Sequence, residues 1–172
     1  MHIQRLAPDE TDRVMDELVD LLQDSVTGGA SIGFLLPIPY EEAATYWQEV
    51  ASCLKTPYRI MVVAKADGKI IGSVQLDLAS RPNGSHRAEV IKLMVHSSWR
   101  KQGIGRALLH AIEQEAWQAR RTTLVLDTRE GDPSEHLYRK MGYLRAGTIP
   151  EYARSTDGSL HTTVFMYKLI RL

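Results

Sequence analysis

The chain has 172 residues, of which 44% are hydrophobic and 24% charged, so we expect one well-buried core and a single domain over residues 1–172. Its 21 basic residues balance 21 acidic ones, which argues against nucleic-acid or anionic-membrane partners and leaves small molecules as the expected ones. The sequence predicts a cytoplasmic protein. It has a single cysteine, its N-terminus is too polar for a signal peptide, and it has no stretch apolar enough to span a bilayer.

The first part of the chain predicts a short strand followed by two helices. The run HIQRL at residues 2–6 favours a strand, and apolar residues recur at helical spacing over residues 14–25 and 43–54. The connecting segment TGGASIGFLLPIP has too many glycines and prolines for a helix, so it predicts a loop.

Three antiparallel strands are predicted next. The β-rich runs YRIMVVAK and KIIGSVQLDLAS are joined through Asp67-Gly68, which favours a hairpin. A second turn at Asn83-Gly84 leads into the run RAEVIKLMV, which predicts the third strand. The sheet therefore leads directly into the segment WRKQGIGRALL, residues 99–109.

Beyond this segment helices and strands alternate. Apolar residues line one helical face over residues 104–119, and TTLVLDT returns as a strand, an order that favours a parallel pair. A short helix through SEHLYRKMGY and two closing strands, YLRAGTI and TTVFMYKLI, complete the chain. The predicted fold class is α/β, with a mixed, mostly antiparallel sheet of about seven strands flanked by about four helices.

The segment at residues 99–109 has the features of an anion-binding turn. Its two glycines let the backbone approach a ligand closely, and the first N–H groups of the following helix are unpaired and partly positive. An anion bound there would meet the successive N–H groups of residues 101–106 and the side chains of Arg100, Lys101 and Arg106.

Two common nucleotide-binding motifs do not fit this turn. A P-loop requires Lys and then Ser or Thr after its last glycine, whereas Gly105 is followed by Arg106 and Ala107. The Rossmann fingerprint requires a third glycine where this chain has Leu108. What remains is an R-x-x-G-x-G turn beginning at Arg100, and on it the chain resembles the GNAT family of N-acetyltransferases, in which this turn holds the pyrophosphate of acetyl-CoA.

The resemblance extends over nearly the whole chain. The order of strands and helices is similar to that of the family, and LYRKMGY resembles a further family segment. The segments GGASIGF, RAEVIKLMV and LDTREGDPSEHLY are most similar to tabtoxin-resistance-type acetyltransferases, which inactivate a β-lactam toxin. One departure is Gly131, where many members have an asparagine that contacts the cofactor. Because the family often dimerises, the resemblance also leaves a homodimer open.

Two segments are expected to bind acetyl-CoA, which leaves as coenzyme A. If the strand ending LMV diverges from LVLDT, its unpaired backbone groups can pair with the two amides of a pantetheine arm. The alternative is an ordinary core strand followed by a solvated helix N-terminus. The predicted cofactor-binding residues are Leu93, Met94, Val95, Arg100, Lys101, Gln102, Gly103, Ile104, Gly105 and Arg106.

Neither Cys53 nor a Ser–His pair suggests a covalent intermediate, so we expect direct transfer of the acetyl group. Direct transfer requires a base for the acceptor and an acid for the departing thiolate. Glu89 and Asp127 lie on the two strands that flank the expected thioester and are the candidate bases; both match catalytic positions proposed in the tabtoxin-resistance relatives. The alternative for Glu89 is a salt bridge with Arg87, Lys92 or another cation. Tyr138, which matches the family's acid position, is the candidate donor to the leaving sulfur, or else a core residue.

The sequence therefore predicts an acyltransferase that acetylates an amine or hydroxyl of a small molecule, such as a β-lactam toxin or antibiotic-like compound. No metal is expected, since the six histidines show no ligand spacing. One alternative is acetylation of a peptide or protein amine. The other is a catalytically silent acyl-CoA-binding sensor, which would need none of Glu89, Asp127 and Tyr138.

Overall fold

The computed structural model describes residues 1–171 and contains one seven-stranded sheet and four α-helices within them. The strands are β1 (His2–Arg5), β2 (Arg59–Ala66), β3 (Lys69–Leu78), β4 (Arg87–Val95), β5 (Thr123–Arg129), β6 (Leu144–Arg154) and β7 (Leu160–Leu169). The helices are α1 (Met15–Thr27), α2 (Tyr40–Leu54), α3 (Ile104–Gln118) and α4 (Pro133–Lys140).

The strands lie in the order β1-β2-β3-β4-β5-β7-β6, and β4–β5 is the parallel pair among otherwise antiparallel neighbours. The predicted fold class, hairpins and parallel crossover are therefore confirmed. Two boundaries differ from the prediction: a 3-10 helix, Pro8–Val14, precedes α1, and β6 continues to Arg154. Within residues 1–171, no helix has the length and apolar composition that crossing a membrane requires.

Side chains that alternate along the strands form two cores, one on each face of the sheet. Val74 and Leu76 belong to the core that α3 and α4 cover, whereas Met61 and Val63 belong to the core that α1 and α2 cover. Both faces of β2 and β3 are buried, whereas β4 has exposed and half-buried residues as well as buried ones. The fold thus positions the end of β4 between two helical layers.

The strands β4 and β5 diverge at the centre of the sheet. Their pairing runs over three positions and ends where Glu89 lies opposite Val125. Just beyond, β4 contains a β-bulge: Lys92 and Leu93 together oppose Val74, and Lys92 has a positive φ of 54°. The divergence leaves the β5-facing edge of the last residues of β4 without a partner strand in the described part of the chain.

Candidate active site

The turn between β4 and α3 presents a row of free backbone donors. Lys101 and Gly103 both have positive φ values, 62° and 81°, which turns successive N–H groups in one direction. Among the described residues, the N–H groups of residues 101–106 have no hydrogen-bond acceptor. Six adjacent unpaired donors at the start of a 15-residue helix can bind an anion such as a diphosphate group.

The two glycines of this turn, Gly103 and Gly105, are required for different structural reasons. A Cβ atom on Gly103 would have no neighbour within 4 Å among residues 1–171, so this glycine keeps the outer side of the turn open. A Cβ atom on Gly105 would lie 3.1 Å from Cδ2 of Leu137, so this glycine allows α3 and α4 to approach each other. Gly103 thus keeps space open for a ligand, whereas Gly105 serves the packing of the two helices.

The cations of the turn are arranged differently from expectation. The Arg100 guanidinium donates through Nε to the Val95 carbonyl oxygen at 3.0 Å and lies 3.7 Å from Oδ2 of Asp24 on α1. Its side chain therefore fixes the turn to β4 and α1, although it remains 42% exposed. Lys101 and Arg106 are exposed and form no ion pair within residues 1–171, so they retain free charges.

The end of β4 has the open edge that the sequence predicted. Met94 and Val95 pair with Ser73 and Gly72 of β3 on one side, whereas β5 has already diverged on the other. Met94 is buried, and Leu93 and Val95 are half-buried. The backbone groups that face β5 are therefore available to an extended chain carrying amides.

The two candidate bases lie on neighbouring strands and share a face of the sheet. Glu89 is opposite Val125, and Asp127 follows Val125 by two residues, so both carboxylates project to the side covered by α1 and α2. Neither carboxylate has a cationic side chain within 4.0 Å in the described chain. The alternative prediction, a salt bridge from Glu89 to Arg87 or Lys92, is therefore wrong.

Both carboxyl groups bind protons more tightly than usual. Partial burial raises the pKa of Glu89, and the negative charges of Asp127 and Asp77 raise it further. Burial also raises the pKa of Asp127, against the opposing effect of the Lys92 charge. Unpaired carboxylates with raised pKa values beside an open strand edge can accept protons from a bound group.

Tyr138 lies on α4, where it is buried against the ring of Tyr143, with the ring centroids 5.8 Å apart. Burial raises the pKa of the Tyr138 phenol, and the charge of Asp127 raises it further. The phenol therefore stays protonated at neutral pH and can act as a donor. Tyr138 is at the same time a core residue, so the two interpretations offered by the sequence are compatible.

Lys92 is a site residue that the sequence did not identify. Its ammonium donates a hydrogen bond to the carbonyl oxygen of Ile32 and lies 5.4 Å from the ring centroid of Phe34 and 5.9 Å from that of Tyr46. Burial lowers the pKa of Lys92, although the charges of Asp127 and Glu89 oppose this effect. A lysine inside an apolar strand was the sequence signal that could have identified Lys92. The bulge, which the sequence did not reveal, determines which face of the sheet its side chain reaches.

A chain of polar contacts also lies beneath α2. Nε2 of Gln75 donates to the Tyr46 hydroxyl at 2.8 Å, and the Arg59 guanidinium donates to Oε1 of Gln75 at 2.8 Å. Arg59 is also 3.4 Å from Oδ2 of Asp77, which is opposite Glu89 in the sheet. Burial raises the pKa of Tyr46 to about 12, so this hydroxyl remains protonated and both side chains stay ordered.

Two cavities lie along the diverging strands β4 and β5, the first beside Glu89 and the second beside Arg129. One, of about 520 Å³, is lined by Glu89, Val125 and Phe165 among others. The other, of about 660 Å³, lies between the α1–α2 loop (residues 28–39) and the turn between β6 and β7, with Arg129 at its wall. Across residues 1–171, no group of three or more His, Cys, Asp or Glu side chains is placed to hold a metal ion.

Comparison with known proteins gives three kinds of match. The model of the acetyltransferase (GNAT) family matches residues 15–143. An uncharacterised N-acetyltransferase of Azospirillum brasilense is 35% identical over 118 residues, 67% of this chain and 68% of that protein. An L-amino acid N-acetyltransferase of Escherichia coli is 29% identical over 110 residues, 62% of this chain and 65% of that protein.

The fold is similar to that of an acetyltransferase from Salmonella typhimurium solved with its cofactor acetyl-CoA. The two structures superpose with a TM-score of 0.78 at 17% sequence identity, covering 100% of this chain and 95% of the other. The two proteins therefore share the overall fold.

Proposed function

Because this chain belongs to the acetyltransferase (GNAT) family and is an acetyl-CoA-dependent N-acetyltransferase, we propose that it acetylates the amine of a small molecule by direct transfer. The observation that carries this proposal is the pair of unpaired carboxylates, Glu89 and Asp127, at the point where β4 leaves β5. The membership in an enzyme family removes the silent acyl-CoA-binding sensor as an alternative.

The residues around the turn are suited to hold acetyl-CoA, which supplies an acetyl group activated as a thioester. The N–H groups of residues 101–106, the start of α3 and the charges of Lys101 and Arg106 would bind the pyrophosphate. The open edge of residues 93–95 would pair with the amides of the pantetheine arm. In this arrangement Arg100 contributes by fixing the turn through Val95 and Asp24.

The side chains divide the proton transfers between them. As the acceptor nitrogen bonds to the acetyl carbon and the carbon–sulfur bond breaks, the nitrogen loses a proton to Glu89 or Asp127. The raised pKa values of these carboxyls bring them closer to neutral pH, where a base works best. The Tyr138 phenol gives its proton to the departing thiolate, and its burial keeps that proton in place until then.

The acceptor that we propose first is a small amine related to an amino acid. Support comes from the likeness to the L-amino acid N-acetyltransferase of Escherichia coli. A narrower version, acetylation of a β-lactam toxin, is supported by the segments GGASIGF, RAEVIKLMV and LDTREGDPSEHLY. The cavity between the α1–α2 loop and the β6–β7 turn, about 660 Å³, matches the size of small-molecule sites, which favours these acceptors over a folded protein.

A thiol-release assay tests the proposal. The protein is incubated with acetyl-CoA and, separately, with L-amino acids, other small amines, a β-lactam toxin and short peptides, and free coenzyme A is measured. We expect acceptor-dependent release with at least one small amine and a mass gain of one acetyl group on that amine. Release with peptides alone would overturn the small-molecule proposal in favour of the peptide alternative.

We also propose a homodimer, which the family resemblance implies. The edge strand β6 supports it, because Leu144 and Tyr152 are 57% and 53% exposed, an apolar surface suited to a second copy. Light scattering after size exclusion should give twice the mass of the chain. A mass of one chain at all concentrations would contradict it.

A further inference from the structure

We propose that Lys92 is a positioning residue for the acceptor. It holds the α1–α2 loop (residues 28–39) in place over the reaction centre. This inference rests on the proposed function. Lys92 comes from the bulge of β4, between Glu89 and the open edge of residues 93–95. It therefore connects the strand expected to carry the thioester with the loop that lines the larger cavity.

Lys92 contacts both the backbone and an aromatic ring of this loop. Its Nζ atom donates to the Ile32 carbonyl oxygen and faces the ring of Phe34. Gly33, between them, has a φ of 90°, and a Cβ atom there would lie 3.1 Å from Nζ of Lys92. The loop thus leaves just enough room for the ammonium at this place.

A second cation holds the same loop from the other diverging strand. Arg129, the last residue of β5, donates from its guanidinium to the carbonyl oxygen of Gly29 and to Oγ of Ser155, the latter at 3.2 Å. Each of the two strands that separate around the open edge therefore donates from one side chain to one carbonyl of the loop. The loop cannot shift relative to β4 without losing one of these hydrogen bonds.

Both ends of the loop are also anchored. Before it, Asp24 on α1 accepts hydrogen bonds from the backbone N–H and Oγ of Ser97, at 2.8 and 2.5 Å, directly ahead of the anion-binding turn. Within it, the Leu36 N–H donates to Oγ1 of Thr156 in the β6–β7 turn at 3.1 Å. Lys92 and Arg129 are the anchors between these ends, and Lys92 is the one on the strand beside the thioester.

Stability alone does not explain a lysine at this position. A methionine would pack against Phe34 and Tyr46 without removing an ammonium from water, and burying a charge is unfavourable unless it is well paired. The charges that face Lys92 are those of Asp127, Glu89 and Arg59, so its surroundings are not simply acidic. Its positive φ of 54° is a further cost for a residue other than glycine. The ammonium is retained, we infer, for the orientation that it gives the loop.

The test compares Lys92→Met, which keeps the length but removes the donor, with Lys92→Arg, which keeps a cation and a donor. Gly33→Ala perturbs the same contact from the loop, since its methyl group would lie 3.1 Å from Nζ of Lys92 and the φ of 90° adds backbone strain. Lys55→Met, at the exposed end of α2, is the control for loss of a lysine. Each variant is measured for acetyl-CoA affinity by calorimetry, for KM and kcat with the best amine from the screen above, and for amide hydrogen exchange over residues 28–36.

We expect Lys92→Met and Gly33→Ala to raise the acceptor KM about tenfold or more and to speed loop exchange by about tenfold, the effect of one lost charge-assisted hydrogen bond. Acetyl-CoA affinity should stay within about twofold, kcat should change less than KM, and Lys92→Arg should recover most of the KM. Lys55→Met should resemble the wild type in every measurement.

If amide hydrogen exchange over residues 28–36 is unchanged in Lys92→Met, the inference is overturned whatever the activity of the variant. It is also overturned if the exchange becomes faster while the acceptor KM stays unchanged. The exchange measurement uses the protein without an acceptor. If the wild type acetylates none of the amines, the proposed function fails through the wild type alone, while loop exchange still decides whether Lys92 anchors the loop.

Discussion

Replacing Gly103 by valine tests the anion-binding turn most directly. The φ of 81° at this position is in the left-handed region, which costs a non-glycine residue about 1–2 kcal/mol. Nothing among residues 1–171 lies within 4 Å of the added Cβ atom, so no packing clash is added to that strain. For a chain of this length the melting temperature should fall by roughly 2–8 °C, and the protein should remain folded.

Acetyl-CoA affinity should fall much further than the stability alone suggests. The valine side chain would occupy the outer side of the turn, where the N–H groups of residues 101–106 meet the diphosphate. We expect calorimetry to show binding weaker by more than about tenfold, equivalent to over 1.4 kcal/mol. Gly103→Ala, with a single methyl group, should give an intermediate loss.

Gly68→Val is the matched control for this experiment. Gly68 lies in the β2–β3 turn with a φ of 78°, and a Cβ atom there also has no described neighbour within 4 Å. It should lower the melting temperature by a similar amount and leave acetyl-CoA affinity unchanged. If Gly103→Val binds acetyl-CoA as tightly as Gly68→Val does, the assignment of the turn to the diphosphate is wrong.

Three further predictions concern the proposed proton transfers. Glu89→Gln and Asp127→Asn should each leave acetyl-CoA affinity unchanged. The variant that removes the main base should lower kcat/KM about 100- to 10,000-fold. Wild-type rates in both variants would refute the assignment of the base. Because the folded pKa values of both carboxyls are raised, their ionisation destabilises the fold, so each amide variant should melt above the wild type at pH 7, and the gain should vanish near pH 4. Tyr138→Phe should lower kcat with little change in the acceptor KM, which steady-state kinetics can check.

The order of elements could be predicted because it depends on local patterns. Alternation along β3, the Asp67-Gly68 turn and the apolar face of α3 each determine a conformation within about ten residues. The free N–H groups of residues 101–106 followed from the same kind of information, since they depend only on two glycines and the start of a helix. The order strand–helix–strand, which favours a parallel pair, then supplied the parallel neighbour of β4.

The partners of charged side chains could not be predicted, because they lie far away in sequence. Lys92 donates to a carbonyl 60 residues earlier, and Ser97 donates to Asp24, 73 residues earlier. The alternative of a salt bridge from Glu89 to Lys92 fails for a related reason: the bulge at Lys92 moves the ammonium toward the α1–α2 loop. One extra residue in a strand changes which face a side chain reaches, and no periodic pattern reveals it.

The same long-range contacts explain how two carboxylates stay unpaired in a site that contains several cations. Arg59 is bound to Gln75 and Asp77, Lys92 to the Ile32 carbonyl, and Arg129 to Gly29 and Ser155. Each cation is near enough to shape the local field, yet the hydrogen bonds that it makes within residues 1–171 go to these groups and not to Glu89 or Asp127. Glu89 and Asp127 are therefore left without a close counter-ion, and burial then raises their pKa values. In the proposed reaction, the contacts that hold the acceptor loop in place are the ones that keep the bases able to take a proton.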